Sequence, residues 1–395
     1  MKLNYKQLGQ YIRQVDIRNT DCAEKNLLGV SVQKNFMPSI ANTVGTDFSK
    51  YKVVKKGQFT YIPDTSRRGD KIGIALLEDY ESGIVSNVYT VFEIMDEKEL
   101  IPQYLMLWFK RPEFDRFARF KSHGSVREVI DWDEFCKIEI PVPSYDEQRT
   151  IVNSYRKITD RIALKKQIND NLAATIDAIF VEQFGKYTKL SESLTSSSNL
   201  FWLPEGWKLK PAEEFFDISI GKTPPRSEPE WFSYDSNDII WISIADMKNA
   251  TPFIFDSTEY LTHSAVKKHN IKFVPADSIL LSFKMTVGRV AIVTEAVTTN
   301  EAIAHFPCSK DMIPYTYCYL KSFNYNHLGS TSSITTAINS KIIKGMPFLM
   351  PSIPEIELFN HKCAKLLDEL LLVAKEINML EQLKTAMISH LISHC

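Results

Sequence analysis

The sequence predicts an α+β protein: two similar domains separated by two long helices that pair as an antiparallel coiled coil. Three observations carry that prediction. Residues 147–184 contain neither Gly nor Pro and set their apolar side chains on one heptad seam. Residues 355–391 repeat that seam at a constant offset of 208. Ahead of each helix, strand, helix and loop signals recur in the same order.

Residues 1–146 read as the first domain. Residues 52–62 give one or two strands around the Lys55-Lys56-Gly57 turn, and 72–77 and 84–94 give further strands. Pro102 suits the first turn of a helix, where a missing N–H costs nothing. A polar loop, Ser122-His123-Gly124-Ser125, leads to a short strand stopped by Pro141-Val142-Pro143, and Asp146 is placed to cap the long helix. Residues 147–184 are that central spacer helix. Ile151, Tyr155, Ile158, Ile162, Leu172, Ile176 and Ile179 form its seam, with Lys165 and Asn169 in two polar slots. Residues 185–205, rich in Ser and Thr and without periodicity, read as a linker.

Residues 206–354 then repeat the first domain. Segment 271–283 answers 52–62, 288–293 answers 73–77, and Asn300 answers Asn87. The run from Pro314 answers that from Pro102, and 351–355 answers 143–147. Residues 355–395 form the distal spacer helix, with Phe359, Cys363, Leu366, Leu370, Val373, Ile377, Leu380, Met387 and Leu391 on its seam. Each helix, at roughly 37 residues, extends about 55 Å. Parallel helices would force the linker back along that distance, close to its full reach. The antiparallel arrangement avoids this and predicts two domains at opposite ends of a rigid spacer, related by an internal pseudo-twofold.

Composition narrows the function. A chain of 395 residues should hold two or more domains. Its net charge of −1 leaves no global basic footprint, so any nucleic-acid surface must be local. Six cysteines without CxxC spacing indicate neither zinc ribbon nor disulfide framework, which suits a reducing cytoplasm. No apolar signal region or long apolar run is present, so a cytoplasmic protein without a membrane span is expected. Catalytic and cofactor motifs are missing. Gly221-Lys222-Thr223 ends like a P-loop, but Phe216 replaces its leading glycine and Pro224-Pro225 forbids the following helix. No GxGxxG follows a strand, and no Asn-Pro-Pro-aromatic tetrapeptide occurs. His390, His394 and Cys395 read as a polar C-terminus rather than a metal face. No cofactor and no metal are expected.

Nucleic-acid signals are stronger. The loop carrying Arg67, Arg68 and Lys71 joins two expected strands, and its counterpart in the second copy carries Lys284 and Arg289. Either loop alone reads as a charged turn, but basic character at the same place in both copies favours contacts to phosphates or guanine edges. Lys50, Lys52, Lys55 and Lys56 add local charge, as do Lys222, Thr223, Arg226, Lys267 and Lys268 in the second copy. Ser330 and Ser332 offer small hydrogen-bonding groups.

These residues resemble a family. Gly206-Trp207, Ile220-Gly221-Lys222-Thr223-Pro224, Ile240-Trp241-Ile242-Ser243 with Asp246, and Pro141-Val142-Pro143 before Glu147-Gln148 are similar to the specificity subunit of type I restriction-modification enzymes. The second junction departs, with Ile356 after Glu355, and the first domain lacks a Gly-Trp and Gly-Lys-Thr-Pro counterpart. The resemblance implies a non-catalytic chain whose α+β domains are target recognition domains, each reading half of a split duplex DNA site. It implies that the helices dock modification (methyltransferase) subunits, two of them, which bind S-adenosylmethionine and methylate adenine. A motor-nuclease restriction subunit joins where one accompanies the methyltransferase. The alternative is a scaffold whose twin domains bind other proteins, which salt-dependent duplex binding separates from the first reading.

Overall fold

The structure, a computed structural model, describes residues 5–39, 45–64, 71–122, 129–193, 203–248, 251–328 and 338–393. The fold is α+β, and the chain divides into two compact units: residues 1–161 with 380–395, and residues 162–379.

In the first unit a four-stranded antiparallel sheet runs in the order Ile12–Val15, Thr90–Ile94, Phe59–Tyr61, Ile74–Leu76. Its core is aromatic. Phe59 stacks on Phe92 at 4.9 Å, and Tyr61 stacks on Phe135 at 4.5 Å. Helices Pro102–Phe109, Pro112–Lys121 and Trp132–Cys136 contribute Phe109, Phe114 and Phe135 to the same cluster. The two strands around the Gly57 turn part company: Lys52–Lys55 pairs with Ser82–Val85, not with Phe59–Tyr61.

The second unit repeats the order. Ser219–Ile220, Ile303–Pro307, Ser278–Ser282 and Val290–Val293 follow one another, and Phe253–Ile254 adds a parallel fifth strand. A smaller sheet of Phe232–Ser233, Tyr260–Leu261, Ile239–Ile242 and Thr298–Thr299 accompanies it. The helix after the strand that comes last in sequence in the sheet, Ile303–Pro307 here and Thr90–Ile94 in the first unit, is again tied by buried tyrosine. Tyr315 in Ile313–Ser322 donates to the Leu349 carbonyl at 2.6 Å, as Tyr104 does to Pro141 at 3.1 Å in the first unit.

The long helices are Tyr145–Ser193 and Ile353–Ser393. Within the second unit they run antiparallel: Lys165 meets Glu376 at 2.6 Å, and Gln183 donates to the Glu355 carbonyl at 3.0 Å. Phe180 and Phe184 face Phe359 at 6.1 and 5.4 Å. The other seam polar slot, Asn169, is buried, and its Oδ1 has no hydrogen-bond partner among the described residues.

Two expectations change. The first helix is capped by Ser144, not Asp146. The Ser144 N–H donates to the Glu147 carboxylate at 2.9 Å and Ser144 Oγ accepts from the Glu147 N–H at 3.4 Å, a reciprocal capping box, while Asp146 lies 3.4 Å from Arg149. This helix also runs through 185–193, part of the stretch expected as a linker. Phe184 and Tyr187 pack on Trp207 at 5.9 and 4.7 Å, and that burial outweighs the helix cost of Gly185.

Candidate nucleic-acid interface

Gly221-Lys222-Thr223-Pro224 leaves the edge strand Ser219–Ile220 and lies against the turn joining Thr298–Thr299 to Ile303–Pro307. The Gly221 N–H donates to Ile303 at 3.1 Å and the Lys222 N–H to Thr299 at 2.9 Å. A Cβ on Gly221 would sit 2.1 Å from both the Asn300 carbonyl and Thr299 Oγ1, so only glycine permits this approach. Beneath it, buried His305 bridges Ser219 Oγ at 2.8 Å and Thr299 Oγ1 at 2.7 Å. Burial pushes its imidazole down to about 4, so it bridges as a neutral ring.

Groups from distant segments of the chain meet at that turn. Lys222 donates to the His269 carbonyl at 2.6 Å, and Trp241 Nε1 donates to the Lys222 carbonyl at 3.2 Å. The Thr223 hydroxyl donates to the Glu301 carboxylate. Arg226 forms a two-pronged pair with Glu259 at 3.0 and 2.8 Å, its guanidinium 4.1 Å from the Phe232 ring and 4.9 Å from the Trp241 ring.

The hairpin between Ser278–Ser282 and Val290–Val293 brings Lys284. Its turn needs left-handed backbone at Met285 (φ +57) and Gly288 (φ +89), and Met285 is almost wholly exposed. Burial acts to raise the Glu301 carboxyl. The Thr223 bond, its own backbone N–H and the charges of Lys284 and Arg226 outweigh that and hold it below the usual carboxylate range.

The structure thus gathers Thr223, Arg226 and Lys284 about Glu301, while the Lys222 ammonium turns to the His269 carbonyl. Arg289 is held apart, its guanidinium donating to the Ile244 carbonyl at 2.6 Å. In the first unit Lys71 is exposed, close enough for its charge to act on Lys34. Arg67, Arg68, Ser330 and Ser332 lie outside the described residues. Part of the positive charge expected around residue 52 is internal or already paired: Lys52 is buried within 3.9 Å of Asp16, and exposed Lys56 pairs with Glu81 at 2.7 Å. Strand alternation turns Lys52 inward. Among the described residues, no group of three or more His, Cys, Asp or Glu is placed to hold a metal, and no helix is long and apolar enough to cross a membrane.

Sequence reading missed Glu301, Glu259 and the buried Lys34, whose ammonium meets Asp115 at 2.9 Å. The one available signal was the repeat of Asn87 by Asn300, which marks the turn beside Glu301.

A family model described as the type I restriction modification DNA specificity domain matches residues 10–174 and 204–385. The Type I restriction enzyme HindI specificity subunit of Haemophilus influenzae is 22% identical, over 87% of this chain and 87% of its own length. The MjaIX specificity subunit of Methanocaldococcus jannaschii is 21% identical over 76% of this chain and 70% of its own. Among solved structures, the type I restriction-modification S subunit from M. genitalium shares the fold, with a TM-score of 0.50, 15% identity, and coverage of 99% of this chain and 96% of that one.

Proposed function

The chain belongs to the type I restriction-modification DNA specificity family, and on that premise we propose that it chooses the DNA sequence on which a methyltransferase complex acts. Residues 1–146 and 206–354 are its two target recognition domains, each reading one half of a bipartite duplex site in the cytoplasm. Residues 147–184 and 355–395 are spacer helices that dock two modification subunits and, where one is present, a restriction subunit. The chain itself transfers no methyl group and cuts no DNA.

One observation carries this reading: the strand order of the first unit recurs in the second, and loops at the hairpin and edge strand of that second sheet bring Arg226 and Lys284 together. A repeated scaffold presenting basic loops fits a divided duplex site. Leu164, Val181, Leu358, Leu372 and Met379 are exposed on the long helices, which supports docking there.

The experiment is to map methylated adenines in host DNA with and without this gene. The reading expects one bipartite motif to lose methylation everywhere when the gene is removed. Methylation that is unchanged without the gene contradicts it.

A further inference from the structure

Glu301 stands at the centre of the basic cluster as its one unexplained carboxylate. The other carboxylate there, Glu259, spends both oxygens on Arg226. Glu301 does not. It is exposed, makes no ion pair within 4.0 Å among the described residues, and accepts a side-chain hydrogen bond from the neutral Thr223 hydroxyl. An ionised carboxylate offers about four acceptor sites, so capacity remains. Its position is also fixed: Gly221 presses against the Thr299-Asn300 backbone, the Asn300 N–H donates to Ile242 at 3.0 Å, and Asn300 Oδ1 accepts from the Ala302 N–H at 3.1 Å.

A carboxylate in this place repels phosphates, so backbone attraction gives no reason for it. Base edges give one. In the major groove cytosine presents an amino donor, N4, which Asp or Glu accepts, while guanine presents only acceptors there. Arg226 and Lys284, whose charges act on the carboxylate, supply cations that hold the sugar-phosphate chain beside it.

We infer that Glu301 is a specificity-determining residue of the second domain, accepting a hydrogen bond from the N4 amino group of a cytosine at one position of the second half-site. Thr223 is a positioning residue that holds the carboxylate. This inference rests on the DNA-reading function proposed above.

The test compares wild type, Glu301→Gln, Glu301→Ala and Thr223→Val in the assembled complex. Selection from randomised duplexes gives the preferred sequence, and salt titration gives the phosphate contribution. The expected result is loss of preference, by about 5- to 150-fold, for one C·G pair in the second half-site. The first half-site and the salt slope should stay as in wild type. Glu301→Gln keeps shape and should bind, with adenine newly accepted, because an amide both donates and accepts. Thr223→Val should weaken the same preference less. An unchanged motif in both Glu301 variants overturns the inference. So does a uniform rise in affinity at every sequence, which would make Glu301 a repulsive brake. Wild-type complex that selects no sequence at all would instead overturn the DNA-reading function beneath it.

Discussion

Gln148 and Ile356 occupy matching places in the repeat and solve one problem in two ways. Gln148 is fully buried, accepts from the Ile101 N–H at 2.8 Å and donates to the Glu99 and Pro143 carbonyls at 2.9 Å each. Ile356 is buried too, and its apolar side chain can form none of those bonds. Gln148→Ala should therefore leave three backbone groups unpaired and lower stability by about 1–3 kcal/mol in a denaturant titration. Ile356→Ala should act through lost apolar burial, by about 2–5 kcal/mol. His305 predicts a pH dependence. Its ring titrates near 4 folded and 6.5 unfolded, so the unfolded chain binds more protons between those values. Stability from this site is complete above pH 6.5 and falls by about 3 kcal/mol as pH drops through 4. His305→Asn should flatten that part of the pH–stability curve, and an identical slope in the variant contradicts the neutral bridge. Residue chemistry was legible in part. Gly221-Lys222-Thr223-Pro224 stood out in the sequence, but Glu301 did not, because only folding brings it to Thr223 across 78 positions.

At the scale of elements, periodicity made the helices readable and burial decided their limits. The heptad seam announced both helices, and its polar slots find opposite fates: Lys165 gains Glu376, whereas Asn169 is buried with an oxygen unpaired among the described residues. A buried amide costs stability and restricts register, so Asn169→Leu should stabilise the chain by about 1–2 kcal/mol. Thermal or denaturant unfolding checks this, and a destabilised variant would mean that the amide has a partner. The run through Gly185 was not legible, since a Ser- and Thr-rich tail with glycine carries no helical signal. What keeps it helical is Trp207, a residue beyond the tail. The strands on either side of Gly57 were readable, but their partners were not, since each pairs with a strand elsewhere in the chain.

For the whole molecule the internal repeat was the most legible feature, because offsets between similar segments survive even where single residues differ. Less legible was which basic residues stand together, since Arg289 and Lys284 share one loop yet Arg289 turns to the Ile244 carbonyl. If the helices set the distance between half-sites, adding four residues near Lys165 lengthens a helix by about 6 Å, or one to two base pairs at ~3.4 Å each. Four residues form a stutter that keeps the seam roughly facing its partner. The gap in the methylated motif should grow by about that amount in an insertion mutant that still assembles, with the half-site bases unchanged. An unchanged gap with full activity would remove the helices as the ruler. The most direct test of the central claim exchanges residues 206–354 for the equivalent domain of a relative and maps methylated adenines in cells carrying the chimera. Two independent reading domains predict that one half-site changes and the other is retained. A motif altered in both halves, or in neither, contradicts the account.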